Sequence, residues 1–411
     1  MEVLRELNDR SLVYQTTSEE KLNELLARSS TTFYIGFDAT AESLHLGHLV
    51  PLMIASHLQR AGHKPVILIG GATALVGDPS GRSAERTLES RETVAAWAES
   101  LKTQMKRFLK FGDGPGEAEM LDNADWLTGL NYIEFLRTIG RHFSVNRMLT
   151  AESVKQRLET GLSFLEFNYM LLQSYDFLHL YRTRKCVLQV GGADQWGNIV
   201  AGIDLIRRKE SAEAYGFTCP LVTTSTGEKM SKSQPGGAIW LDAELTSPYD
   251  YYQFWMNVDD RDAVYFMKLY TFMPMEEIAG YEKLQGADIR KAKERLAMEA
   301  TSIAHGKTEA EKARDASRAL FEGGGSQEEA PTTEISAERL ASGMNALDLF
   351  TDTGLCGSRA EVRRMASQGG LYIQGERVDD PLAHVDPALP EEGVLLLRKG
   401  KKKYHRVKFT G

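Results

Sequence analysis

Pro65-Val66-Ile67-Leu68-Ile69-Gly70-Gly71 is the stretch on which the fold turns. It is a continuous apolar run ending in a glycine pair, without the alternation of a half-buried strand. That is the pattern of a short strand covered on both faces. Cys186-Val187-Leu188-Gln189-Val190-Gly191-Gly192 repeats the form, and Thr32-Phe33-Tyr34-Ile35-Gly36-Phe37 is aromatic, β-branched and closed by a turn. Between the Thr32 and Pro65 runs, Leu46 to about Ala61 has a helical pattern, with Pro51 tolerable only near its first turn. Strands alternating with helices predict an α/β fold with a doubly wound parallel sheet. Ligands of such sheets bind beyond the carboxyl ends of the strands, so the polar and Gly-rich segments after these runs are where chemistry is expected.

From about Ser247 to Leu320 strand signals fade and helical patterns dominate. Phe321 to Pro331 is rich in Gly, Ser and acidic residues and reads as a linker, and a small module follows from about Met344. The expected division is 1–222 for the sheet domain, 223–322 for a helical domain, 323–343 for the linker and 344–411 for the module. With 411 residues, 42% hydrophobic and 26% charged, the composition is that of a globular chain of about two to four domains, and excludes disordered and collagen-like classes. Cys186, Cys219 and Cys356 form no C-x-x-C pair, so neither a disulfide framework nor a zinc ribbon is indicated and a reducing compartment fits. No apolar stretch reaches the ~18 residues of a membrane span, and Met1 to Arg5 lacks a signal-peptide pattern, so a cytoplasmic, non-membrane protein is expected. The net charge of −8 is unevenly spread: Arg398 to Lys408 holds seven Lys and Arg and no acid, and from Met344 onward 11 basic residues face 9 acidic ones. An acidic total therefore leaves room for a local nucleic-acid footprint.

His45-Leu46-Gly47-His48 opens the first long helix, with both imidazoles on one face and Gly47 permitting close approach. A helix N-terminus with two donors above it suits a polyphosphate; a zinc pair or two surface histidines are the other readings. Lys229-Met230-Ser231-Lys232-Ser233 lies in a polar, Gly-flanked loop, where two lysines suit a pyrophosphate leaving group; otherwise it is a solvated surface loop. In the helical pattern from Ser163 to Leu180, Tyr169, Gln173 and Asp176 fall at i, i+4 and i+7 as one polar stripe on an apolar background. The stripe faces either a pocket for a polar ligand or water. Arg359, Arg363 and Arg364 cluster on a helical pattern in the C-terminal module; with Lys401, Lys402 and Lys403 they form a candidate phosphate footprint, or a solvated face and tail.

His45-Leu46-Gly47-His48 and Lys229-Met230-Ser231-Lys232-Ser233 resemble the HIGH and KMSKS signatures of class I aminoacyl-tRNA synthetases. Tyr34 to Asp38, Gly77-Asp78-Pro79-Ser80-Gly81 and Gly191 to Asn198 narrow the resemblance to the bacterial-type tyrosyl-tRNA synthetase family, over nearly the whole chain. It implies a Rossmann-like catalytic domain, a helical anticodon-side domain and a small α+β, S-four-type RNA-binding domain. It implies that ATP, accompanied by Mg²⁺ as its substrate complex, activates L-tyrosine, which passes to tRNA(Tyr), with no permanently bound cofactor and no dedicated protein metal site. His45, His48, Lys229 and Lys232 would then be catalytic. Tyr34 and Asp176 would meet the phenol, Asp78, Tyr169 and Gln173 the α-ammonium, and Gln195 the carboxylate. Asp38, Thr40, Gly47, Gly192, Asp194 and Lys232 would line the ATP site. A homodimer is implied, with an insertion at about 111–149 as its interface. The chain departs from the family's pattern at Ile35, Ala39, Pro51 and Arg82. Tryptophanyl-tRNA synthetases share the architecture, and a non-catalytic RNA-binding protein on the same scaffold is the alternative of a different class.

Overall fold

The computed structural model describes residues 3–27, 30–80, 89–225, 227, 238–322, 330–386, 388, 390, 393–400 and 403–410. Lys229, Lys232, Lys401 and Lys402 lie outside the described residues, as does the side chain of Lys403.

Six strands form the first sheet: β1 (Gln15–Thr16), β2 (Thr32–Asp38), β3 (Lys64–Gly70), β4 (Glu119–Asp122), β5 (Leu188–Gly192) and β6 (Tyr215–Cys219). Their order is β1-β6-β5-β2-β3-β4, parallel throughout except that β1 runs antiparallel to β6. The continuous apolar run is β3, every residue from Pro65 to Gly70 being buried. Its register on β2 pairs Asp38 with Gly70, which brings the carboxyl ends of the two strands level. The order reverses direction between β2 and β5, whose register pairs Phe33 with Leu188 and Ile35 with Val190. Polar groups on either side of that junction share one crevice.

The first long helix, Leu46–Arg60, is buried along both flanks, its covered residues running from Leu46 through Leu58. Pro51 lies in its second turn rather than its first, and the helix continues through it. The Cys186 run likewise starts its strand only at Leu188, because Cys186 and Val187 are used to leave the left-handed cap Lys185 of the preceding helix. Beyond the sheet, helices Pro248–Met256, Ala263–Tyr270, Met275–Tyr281, Ile289–His305 and Lys307–Glu322 pack around Tyr251, Tyr252, Trp255, Phe266 and Tyr270. Their apolar core is continuous with that of β2 and β3.

A second sheet, in the order β7-β11-β10-β8-β9, comprises β7 (Thr332–Ser336), β8 (Leu371–Ile373), β9 (Glu376–Arg377), β10 (Val394–Lys399) and β11 (Lys403–Thr410). Together with helices Ala346–Asp352 and Arg359–Ser367 it encloses its own core, including Leu347, Phe350, Val362, Leu395 and Val407. β7 and helix Ala337–Ala341 fall inside the stretch that composition assigns to the 323–343 linker. Thr332–Ser336 is polar because it is an edge strand burying only Ile335, and its parallel pairing with β11 supplies the order that its composition conceals. Among the described residues, no helix is long and apolar enough to cross a membrane.

Candidate active site

His45 is the N-cap of helix Leu46–Arg60. Its Nδ1 accepts the Gly47 N–H at 3.0 Å, and Nδ1 of His48 accepts the His45 N–H at 3.3 Å. The two rings stack with centroids 3.9 Å apart. A neutral imidazole that accepts at Nδ1 carries its proton at Nε2, so each ring offers Nε2–H as its donor. Burial lowers the His45 pKa, which favours this neutral form. The first helical turn thus has its own N–H groups partly capped by imidazoles whose other nitrogens are donors.

The lysine-bearing segment is anchored at both described ends. After it, the Leu46 N–H donates to the Ile239 carbonyl at 3.2 Å and the Leu241 N–H to the Leu44 carbonyl at 2.8 Å. Before it, the N–H of Ser225 donates to the Asp262 carboxylate at 2.9 and 3.0 Å, and its hydroxyl does so at 3.1 Å. The returning chain is therefore tied directly to the histidine turn.

Helix Phe164–Arg184 begins with a reciprocal cap between Ser163 and Glu166 and presents the polar stripe. Tyr169 and Asp176 are buried, so the stripe faces the protein interior rather than water. At 1.5 Å per residue it spans about 10 Å, comparable with an extended aromatic amino acid. At one end, Asp176 accepts the indole N–H of Trp126 at 2.8 Å and the amide of Asn123 at 2.9 Å. Burial pushes its pKa up to about 7 against the pull of those two donors. Tyr34 lies alongside; burial first, and then the charge of Asp176, pushes its pKa well up, and its hydroxyl has no hydrogen-bond partner among the described residues. At the other end, the Tyr169 hydroxyl donates to Asp38 at 2.9 Å; between the two ends, Oε1 of Gln173 is buried with no hydrogen-bond partner among the described residues.

The two ends are connected. Asp38 accepts the Thr73 hydroxyl at 2.8 Å, and the Asn123 amide that holds Asp176 also donates to Thr73 at 2.9 Å. This close approach requires Gly70, where a Cβ would overlap both the Asp38 carboxylate and the Thr73 hydroxyl. Across the crevice, Gln195 donates to Asp78 at 2.6 Å and accepts from Asn198 at 3.2 Å. Asp78 also accepts the Ser80 N–H at 2.9 Å. Gly192 adjoins Asp194, and the N–H of Thr40 turns back onto the Asp38 carbonyl at 2.9 Å, so both segments end at the same sheet edge.

The structure therefore links Asp176, Tyr169 and Asp38 through Asn123 and Thr73, with Tyr34 beside Asp176 and Gln173 on the same helix face, and brings Asp78 and Gln195 into direct contact. The basic residues of the C-terminal module are on a different core. Arg359, Arg363 and Arg364 are exposed on helix Arg359–Ser367, with Arg359 paired to Asp348 at 2.5 Å, and Arg398 lies over the Tyr372 ring at 3.7 Å. Thr73, Asn123 and Trp126 carry no motif that marks them in the sequence. Thr73 follows the glycine pair of β3 and Asn123 follows β4, so recognising β4 as a strand points to both by the rule that ligands sit beyond carboxyl ends.

Residues 26–322 match the family of class I tRNA synthetases for tryptophan and tyrosine, and residues 325–407 match the C-terminal domain of tyrosine–tRNA ligases of the SYY type. The chain is 53% identical to the tyrosine–tRNA ligase of Acetivibrio thermocellus over 410 residues, covering 99% of each. It is 50% identical to that of Caldanaerobacter subterraneus subsp. tengcongensis over 407 residues, again covering 99% of each. Among solved structures, a C-terminally truncated mitochondrial tyrosyl-tRNA synthetase from Coccidioides posadasii superposes with a TM-score of 0.67 at 32% identity, over 77% of this chain and 92% of that one. A tryptophanyl-tRNA synthetase from Encephalitozoon cuniculi shares the fold, with a TM-score of 0.56 at 13% identity over 75% and 86%. The chain belongs to the tyrosine–tRNA ligases of the class I aminoacyl-tRNA synthetases.

Proposed function

We propose a division of labour among these residues in the two steps of the ligase reaction. In the first, the carboxylate of tyrosine attacks the α-phosphorus of ATP, forming tyrosyl-adenylate and releasing pyrophosphate. In the second, a ribose hydroxyl of the terminal adenosine of tRNA attacks the activated carbonyl and adenylate leaves. His45 and His48 donate through Nε2–H to the transferring phosphates, and Lys229 and Lys232 neutralise the leaving pyrophosphate. Asp38, Thr40, Gly47, Gly192 and Asp194 line the nucleotide side. Mg²⁺ enters with ATP, held mainly by its phosphates.

The observation that carries the tyrosine assignment is the buried pair of Asp176, held by two donors, and Tyr34, whose hydroxyl has no partner. A phenol hydroxyl both donates and accepts, so it can give its proton to Asp176 and accept from Tyr34. An indole N–H only donates and would leave Tyr34 unpaired. Gln173 Oε1 and Asp78 would accept from the α-ammonium, with Tyr169 acting as an acceptor because its proton is committed to Asp38. Gln195 would then approach the carboxylate.

Arg359, Arg363, Arg364, Lys401, Lys402 and Lys403 would contact tRNA phosphates, and the reaction would take place in the cytoplasm, where charged tRNA is used. The chain would form a homodimer through the insertion at about 111–149, where Tyr132, Ile133 and Val145 are exposed large hydrophobic residues. Sedimentation at micromolar concentration checks it. The deciding experiment for the whole reading is ATP–pyrophosphate exchange with a panel of amino acids. Exchange with tyrosine is expected; exchange with tryptophan alone, or with none despite RNA binding, would reject it.

A further inference from the structure

Arg10 lies well outside the site, is only 2% exposed, and joins three elements. Its Nε donates to Glu6, about one turn earlier in helix Val3–Asp9, at 3.1 Å. Its Nη atoms donate to three backbone carbonyls, Met273 at 2.6 Å, Thr271 at 3.2 Å and Lys268 at 3.4 Å. These lie at and beyond the C-terminal end of helix Ala263–Tyr270, where carbonyls lack helical partners. The same Glu6 oxygen is 3.4 Å from Nδ1 of His57, near the end of helix Leu46–Arg60. Phe272 closes the junction, edge-on to His57 at 5.1 Å and beneath the Arg60 guanidinium at 3.5 Å.

The far ends of these two helices carry the histidine turn and the anchor of Ser225 on Asp262. Helix Leu46–Arg60 has His45 and His48 at its start. Helix Ala263–Tyr270 is preceded by Asp262, whose carboxylate holds Ser225 shortly before the lysine-bearing segment. We infer that Arg10 is a positioning residue for adenylate formation, fixing the histidine turn at the start of helix Leu46–Arg60 relative to the Ser225–Asp262 anchor at the start of helix Ala263–Tyr270, while touching no substrate. His57 is just over three helical turns from His45, about 18 Å along the axis, so direct contact with ATP is excluded. Arginine suits the task because its planar fork serves several acceptors in fixed directions, whereas a lysine ammonium is a single point on a flexible stem.

The inference rests on the roles given above to His45, His48, Lys229 and Lys232, and the experiment separates the two. Wild-type pyrophosphate exchange is measured first; its absence would overturn the functional reading. Arg10→Lys and Arg10→Met are then compared at a temperature where circular dichroism shows both folded. A displacement of about 1 Å between reacting groups can cost up to about a hundredfold. The expected result is therefore a ten- to hundredfold fall in kcat for exchange and a raised KM for ATP, with tyrosine affinity within about twofold of wild type, and Arg10→Lys nearer to wild type than Arg10→Met. A merely structural arginine would lower the active fraction, reducing kcat with the KM for ATP unchanged. That outcome, or undiminished exchange in folded Arg10→Met, would overturn the inference. Should the Arg10 variants not fold, Glu6→Gln, at a partly exposed position, carries the test by loosening the same fork, with the same split between ATP and tyrosine expected.

Discussion

Replacing Tyr34 by Phe should move stability and tyrosine affinity in opposite directions. The Tyr34 ring is buried, tilted against Phe177 at 5.2 Å, and a phenylalanine ring fits the same space. Its hydroxyl has no hydrogen-bond partner among the described residues, and a buried unpaired hydroxyl costs about 1–3 kcal/mol. Removing it should therefore leave the ligand-free protein as stable as wild type or more stable by about 1 kcal/mol. The substrate phenol is assigned as the missing partner, and a neutral hydrogen bond contributes about 0.5–1.5 kcal/mol, so tyrosine should bind about two- to twelvefold more weakly. Urea unfolding with and without tyrosine reads both quantities, because ligand binding adds RT ln(1 + [L]/Kd) to stability. Titration calorimetry gives the affinity independently. A ligand-free variant less stable than wild type by about 1 kcal/mol or more, binding tyrosine as tightly, would refute the reasoning.

His45→Ala should lower the rate of adenylate formation about a hundred- to a thousandfold with little change in tyrosine affinity, as read by single-turnover kinetics; equal losses in both would contradict a transition-state role. Asp176 keeps its proton in the folded state up to about pH 7 but releases it near its ordinary 3.8 when unfolded, so stability should fall as pH rises from about 4 to 7 and level off above. At about 1.36 kcal/mol per pH unit this amounts to at most about 4 kcal/mol, and Asp176→Asn should flatten that slope in urea titrations across the range. Ser11 is held at φ 61°, in the left-handed region, so Ser11→Gly should stabilise the chain by about 0.5–1 kcal/mol in the same assay. Ending the chain after Glu322 should preserve pyrophosphate exchange, because the module has a separate core, while aminoacylation of tRNA falls.

Elements buried on both faces are legible because their apolar character is uninterrupted, as in β3, and because a strand followed by glycines and then a capped helix is a local pattern. The edge strands are not. β4 reads Glu119-Met120-Leu121-Asp122 and is half-buried along its length, so nothing in its composition separates it from a loop. β7 reads as linker for the same reason. In the site, Tyr169, Gln173 and Asp176 can be found because helical spacing places them on one face. Asn123 and Trp126 reach Asp176 across 53 and 50 residues, and Thr73 reaches Asp38 across 35, distances at which spacing carries no information. Arg10 is silent in the sequence because its partners are backbone carbonyls more than 250 residues away, and a carbonyl has no sequence signature.

In the proposed tyrosine site, the polar system would make selection depend on the ligand's own polar groups. The Asp176 oxygens are each held by a donor, Trp126 on one and Asn123 on the other, so the carboxylate cannot turn to follow a poorly fitting ligand. Asn123 is itself fixed through Thr73 to Asp38, and Asp38 to Tyr169, so a shift at Asp176 is resisted by groups around Tyr169. Among the described residues, Tyr34 and Gln173 each hold a buried polar atom without a hydrogen-bond partner, one beside Asp176 and the other midway along the stripe. In the proposed tyrosine site, an amino acid with both a hydroxyl and an ammonium at the right separation would give both atoms a partner. Phenylalanine would serve only the second, and Asp176 would face a ring edge. The rejection of phenylalanine already established for tyrosyl-tRNA synthetases follows the same logic: a site built to pair a hydroxyl is left with unpaired groups when the hydroxyl is missing. Under the proposed roles, selectivity would follow from Tyr34 and Gln173 finding partners only in a ligand that carries both a hydroxyl and an ammonium.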